Sequence, residues 1–188
     1  MGKMHAEGVT LIELMVTLAV VGLLLAVGVP AVRDLIATSR MSTAVNDLVS
    51  SLHLARSEAL KTSDRVSVCA STNWDSLAPA CDGLDLADGW IVFVDSIGQN
   101  DSVDPGEVVL LTHEPLTEAI DLTAPAIISF SAAGILDNPL PGEVDFLLCD
   151  DRVNHDTGGG IAAGRWVQVS PTGRPRIFSK VDQVICGP

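Results

Sequence analysis

Positive charge is scarce in this chain: 11 Lys and Arg stand against 24 Asp and Glu, a formal net charge of −13. That balance disfavours a general polyanion binder. No Lys or Arg occurs between Val66 and Asp151, a stretch that holds 16 acidic residues. There is no C-x-x-C pair, and the spacings of Cys69, Cys81, Cys149 and Cys186 do not suit a zinc site. The four histidines, His5, His53, His113 and His155, are scattered, and no G-x-S-x-G, H-E-x-x-H or P-loop is present. No catalytic centre and no cofactor are therefore expected. Residues 158–163, GGGIAA, fit G-x-G-x-x-A, but they lack a strand before and a helix after, so a flexible loop is expected. Residues 95–107 are acidic and turn-rich. Ile97 breaks the alternation of oxygen ligands that a calcium loop needs, so a solvated loop is expected.

What is present begins with apolar residues, 47% of the chain. From Leu14 to Val32 there are 19 residues without a charge, long enough to span a bilayer as a helix. Glu13 stands at the edge of this run, where a carboxylate costs roughly 2.5–3.5 kcal/mol if carried to the bilayer centre, so it needs a partner. A secretory signal would place its small cleavage residue after the apolar run; here Gly8 comes before it. Counting cations on either side (Lys3 against Arg33 and Arg40) does not choose an orientation. The cysteines do. An even number, all beyond the apolar run, reads as two disulfides in an oxidising compartment. Three pairings are open. Cys69–Cys81 with Cys149–Cys186 is favoured, because the first closes a short loop and the second ties down the C-terminal tail.

The segment GVTLIEL, residues 8–14, resembles the class III signal of type IV prepilins and type II secretion pseudopilins, with Val9 where Phe is usual. Pro30 falls where that family often has a helix-kinking proline. The resemblance implies cleavage after Gly8 by a prepilin peptidase and N-methylation of the new Val9 amine. It also implies that Glu13 meets the N-terminal amine of a neighbouring pilin subunit. A charge in apolar surroundings is stabilised by such a partner. The chain would sit in the bacterial inner membrane with its globular part periplasmic, then pass into a filament.

Beyond Pro30, Val45, Leu48, Val49, Leu52, Ala55, Ala59 and Leu60 recur at helical spacing. One helix is expected from about Val9 to about Lys61. Seven short β-like segments follow, at 65–71, 89–95, 107–113, 126–132, 144–150, 165–170 and 174–178. No helical pattern separates them, so antiparallel sheets are expected. The fold class is α+β. The expected parts are a leader (1–8), a membrane or filament-core half-helix (9–32), an amphipathic half-helix (33–62) and a β-rich globular domain (63–188). This order, with GWIVFVD at 89–95, resembles the GspH/FimT/FimU group of pseudopilins and minor pilins. Trp90, Val92 and Val94 would share one strand face and Ile91 and Phe93 the other, a strand buried on both sides. Burial is also expected for Trp166 and Phe178.

From Arg152 to Lys180 there are five cations and one acid. Within that span lies SPTGRPRIF, 170–178. Pro171 and Gly173 suit a tight turn, and Pro175 suits an edge strand. Arg174 and Arg176 would project together from extended backbone, a pair suited to phosphate oxygens, with Arg165 and Lys180 extending the patch. The sequence GRPR matches the Gly-Arg-x-Arg pattern of FimT-type minor pilins, a group linked to DNA uptake in natural transformation. The resemblance implies that Arg174 and Arg176 contact the DNA backbone. The other role open to the chain is purely structural, as an assembly-initiating minor pilin or a type II secretion pseudopilin.

Overall fold

The computed structural model describes residues 10–137 and 142–187. Gly8 and Val9, where cleavage and methylation are expected, lie outside the described residues. Helix α1 runs Leu11–Thr62. Thr10 starts it: its hydroxyl accepts from the Glu13 amide at 3.3 Å, which satisfies one of the orphan donors of the first turn. Pro30 lies inside α1 and supplies no N–H to the helical ladder. The residues up to Ala37 form one compact unit, and those from Thr38 onward form another. In the first unit the apolar side chains face outward, Leu23 and Leu24 being 69% and 63% exposed. This helix is long and apolar enough to cross a membrane.

The second unit begins with the amphipathic part of α1. Met41, Ala44, Val45, Leu48, Leu52, Ala55 and Ala59 are buried on one stripe. Leu60 remains about half exposed, at the stripe's margin. Among the described residues eight strands follow: β1 (Val66–Ala70), β2 (Trp90–Val94), β3 (Val109–His113), β4 (Ile120–Thr123), β5 (Ile127–Phe130), β6 (Val144–Asp150), β7 (Ile161–Val169) and β8 (Pro175–Lys180). They form two four-stranded antiparallel sheets, ordered β3-β2-β1-β5 and β4-β6-β7-β8. The helix stripe packs in one core with Val68, Trp90, Val92 and Phe130 of the first sheet and with Leu122, Phe146, Leu148 and Val167 of the second. The Trp90 indole donates to Ser51 Oγ at 2.9 Å and stacks on His113 with ring centroids 3.7 Å apart, so its polar atom is satisfied inside this core.

The outer face of the first sheet is also covered. Cys69, Ile91 and Phe93 pack there with Trp74, Cys81, Val103 and Ile127. The loop closed by the Cys69–Cys81 disulfide supplies part of that cover. The 95–107 segment, a largely exposed loop, adds Val103 to that cover and is tied down at Asp95 and Asp101. Arg65 reaches Asp95 and Asp101 at 2.5 Å each and Asp137 at 3.0 Å. Asp95 is fully buried; one carboxylate oxygen meets Arg65, and the other has no partner among the described residues. Burial pushes the Asp95 carboxyl above its ordinary value, against the pull of Arg65.

Two features differ from the sequence expectation. Strand β4 is additional; it is a four-residue edge strand with alternating burial, too short to stand out. Strand β7 starts at Ile161, so residues 161–163 are sheet rather than flexible loop. The preceding glycines form a turn whose amides at Gly158 and Gly160 donate to the Asp156 carboxylate at 2.8 and 3.2 Å.

Candidate functional site

The SPTGRPRIF segment folds as a turn at 170–174 leading into β8, the edge strand of the second sheet. The turn is closed by Gly173 N–H to the Ser170 carbonyl at 2.8 Å and Ser170 N–H to the Arg174 carbonyl at 3.1 Å. It is also anchored to its surroundings. Leu136 N–H donates to the Pro171 carbonyl at 3.0 Å, and Arg56 Nε of α1 donates to the Gly134 carbonyl at 2.9 Å. Gly173 makes that approach possible. Its φ is +75°, and an added Cβ would lie 2.3 Å from the Gly134 carbonyl oxygen and 3.1 Å from Arg56 Nε. Only glycine meets both conditions without strain. The sequence reading did not single out Arg56, because its separation from the turn in sequence hides the contact.

Strand register decides which cations share a face. Arg176 stands opposite Gln168, and Phe178 opposite Trp166, on the side of the sheet away from α1. Alternation along β8 puts Lys180 on that same side, and Arg174 stands in the turn immediately before the strand. All three cations are exposed, and none has an ion pair or a side-chain hydrogen bond among the described residues. Arg165 does not join them. It stands opposite the buried Leu148, on the inner side of the sheet. Its guanidinium donates to the carbonyls of Ala162 and, at 2.8 Å, Gly164. Burial, and then the nearby Arg152, hold it below its ordinary value. The basic patch is therefore Arg174, Arg176 and Lys180, corrected by the loss of Arg165, whose charge is spent on backbone carbonyls.

Trp166 and Phe178 form a half-buried stack on the outer face, with centroids 4.5 Å apart, packed against the small buried cluster of Ala162, Val184 and Cys186 and outside the main core. The Trp166 indole and the Gln168 amide both donate to Asp145 Oδ1, at 3.0 and 3.1 Å. A disulfide between Cys149 and Cys186 pins the C-terminal tail over this side of the sheet, where Val184 and Cys186 are buried. At the other end of the chain, Glu13 is exposed in the first turn of α1, with no cation beside it among the described residues. An exposed carboxylate on an exposed apolar helix leaves its charge available to a partner.

Comparison with known proteins agrees with this architecture. A family model described as type II transport protein GspH matches residues 44–173, and one described as prokaryotic N-terminal methylation motif matches residues 3–29. The chain is 48% identical over 44 residues to fimbrial protein EcpC of Eikenella corrodens, a match spanning 23% of this chain and 29% of that protein. It is similar in fold to the crystal structure of the type IV minor pilin FimU of Pseudomonas aeruginosa, with 22% identity and a TM-score of 0.53, covering 74% of this chain and 89% of that one. A second crystal form of FimU gives a TM-score of 0.50 over 73% and 91% of the two chains. The methylation motif and the exposed apolar helix fit anchoring in the bacterial inner membrane with assembly into a pilus. With a matching model that covers more than half of its length, the chain belongs to the GspH family of pilin-like structural proteins.

Proposed function

We propose that this chain is a minor pilin of a type IV pilus that binds DNA without sequence preference during uptake for natural transformation. One observation carries the reading. Arg65, Arg152 and Arg165 of the globular unit are engaged internally, whereas Arg174, Arg176 and Lys180 are exposed on an anchored turn and edge strand, with no ion pair among the described residues. Guanidinium groups held on a rigid hairpin suit phosphate oxygens, and phosphate contacts read no sequence. Before assembly, a prepilin peptidase cleaves after Gly8 and the Val9 amine is methylated. Glu13 then pairs with the amine of a neighbouring subunit in the filament. With a net charge of −13 the single chain binds weakly, and repetition along a filament raises avidity.

The test is duplex binding by the full chain in neutral detergent micelles, at low and moderate salt. The parent protein binds and weakens as salt rises, with a log–log slope of about −0.9 per phosphate contact. Arg174→Ala with Arg176→Ala abolishes binding. If the double variant binds as the parent does, the arginines are not the contact. If the parent binds no DNA at low salt, the second reading stands: a structural subunit of a pilus tip or a type II secretion pseudopilus. The GspH family match supports that alternative.

A further inference from the structure

The outer face of the second sheet carries more than cations. A cleft of about 300 Å³ opens over β4 and β6, lined by Thr123, Asp145, Leu147, Trp166, Gln183 and Ile185. Its volume lies at the lower end of the range for small-molecule sites. Register explains its shape. Thr123, Leu147, Trp166 and Phe178 stand side by side on β4, β6, β7 and β8. Phe178 covers the β8 side of the indole, and the cleft lies on the β6 side. Ile185, 70% exposed, forms part of the opposite wall, on the tail held by Cys149–Cys186. The neighbouring row across the same face is Asp145, Gln168 and Arg176. Strands are about 4.8 Å apart, so Arg176 is rooted about 10 Å from Asp145.

We infer that this cleft is a slot for one unpaired nucleobase, which makes single-stranded DNA the preferred ligand of the basic patch. The inference rests on the DNA reading above. A planar base entering the cleft lies against the free side of Trp166, between apolar walls. Its backbone then runs toward β8, where Arg176 and Arg174 meet the phosphates. Bases inside a duplex are stacked and paired and do not enter such a slot. The polar atoms add a hydrogen-bond acceptor. Asp145 Oδ1 is taken by Trp166 and Gln168, while Oδ2 has no donor among the described residues. A carboxylate oxygen accepts from the exocyclic amine of an unpaired cytosine, and equally from the N3–H of an unpaired thymine.

The test uses the full chain in detergent micelles with oligo-dC, oligo-dT and a duplex of equal length. It also uses deoxycytidine monophosphate, with the tryptophan indole N–H resonances followed by NMR. The mononucleotide shifts the Trp166 resonance and leaves that of Trp90, buried against Ser51, in place as a reference for the fold. Trp166→Leu weakens oligo-dC binding by about tenfold, as loss of one base–aromatic stack does, and changes duplex binding by less than about twofold. Asp145→Asn replaces the carboxylate acceptor at the slot by an amide and weakens binding of the mononucleotide and of oligo-dC; it carries the test if Trp166→Leu does not fold. The inference is overturned if the mononucleotide leaves Trp166 unmoved, or if folded Trp166→Leu binds oligo-dC as the parent does. Either result leaves duplex binding through the arginines standing. If no DNA binds yet the mononucleotide shifts Trp166, the slot survives and the DNA reading falls.

Discussion

Replacing Gly173 with alanine tests whether the basic turn is held in place or only happens to lie there. Two costs follow from the structure. The backbone at φ +75° costs an L-residue about 1–2 kcal/mol. The new Cβ would also lie 2.3 Å from the Gly134 carbonyl oxygen, which is itself tied to Arg56 Nε at 2.9 Å. Relieving that overlap moves the turn off Gly134, at a cost of about 1–3 kcal/mol for overpacking. Gly159 provides the control: its φ is +67°, and nothing among the described residues lies within 4 Å of a Cβ added there. The backbone cost is shared, so the difference between the two variants isolates the contact. We expect Gly173→Ala to be less stable than Gly159→Ala by about 2 kcal/mol, or roughly 4–8 °C in Tm for a chain of this size. The assay is thermal unfolding of the full chain in detergent, followed by near-ultraviolet circular dichroism of the buried Trp90. DNA affinity should fall in Gly173→Ala and stay unchanged in Gly159→Ala. Equal Tm values for the two variants would refute the argument, since the turn would then have room to spare.

Three further outcomes are expected. Replacing Cys149 and Cys186 by serine opens a loop with a sequence separation of 37 and costs about 4 kcal/mol by loop entropy, which denaturant unfolding measures. Asp82 and Asp95 titrate on opposite sides of the ordinary carboxyl value, which carboxyl NMR reads site by site. The Thr72 amide holds Asp82 down, so its stabilisation is present above the unfolded value of about 3.9 and lost as pH falls through the lower folded value. Burial holds Asp95 up, so its contribution is full below about 3.9 and lost as pH rises through the higher folded value; Asp95→Asn removes that dependence. Glu13→Gln inserts in the membrane and is processed, but fails to enter filaments, as immunoblots of membrane and sheared-pilus fractions report; normal incorporation would remove the charge-pair role.

Some of this was readable one residue at a time. A helix stripe repeats every three to four residues, so Val45, Leu48, Leu52, Ala55 and Ala59 declare their burial in order. GWIVFVD is apolar on both faces, and β2 is buried on both. Other features were hidden because they depend on partners distant in the chain. Arg65 looks like any surface cation until Asp95, Asp101 and Asp137 converge on it. Strand β4 has too few residues for its alternation to stand out, and it exists because β6 offers it an edge. Trp166 and Phe178 are large and apolar, which suggests a core, but their register puts them on the outer face.

The sequence by itself determined the quantities that are local and periodic: the uncharged run after Glu13, the helix stripe, the alternating strands, and a turn at Pro171 and Gly173. Each depends on neighbours within a few residues, so pattern suffices. Three pairings of the cysteines were open on sequence, and proximity in the fold joins Cys69 to Cys81 and Cys149 to Cys186. The sorting of the cations was likewise a tertiary matter. Arg165 and Arg176 lie 11 positions apart and look alike in sequence. Strand pairing puts one on the side of Leu148 and the other opposite Gln168, because successive side chains alternate faces and register sets which face is which.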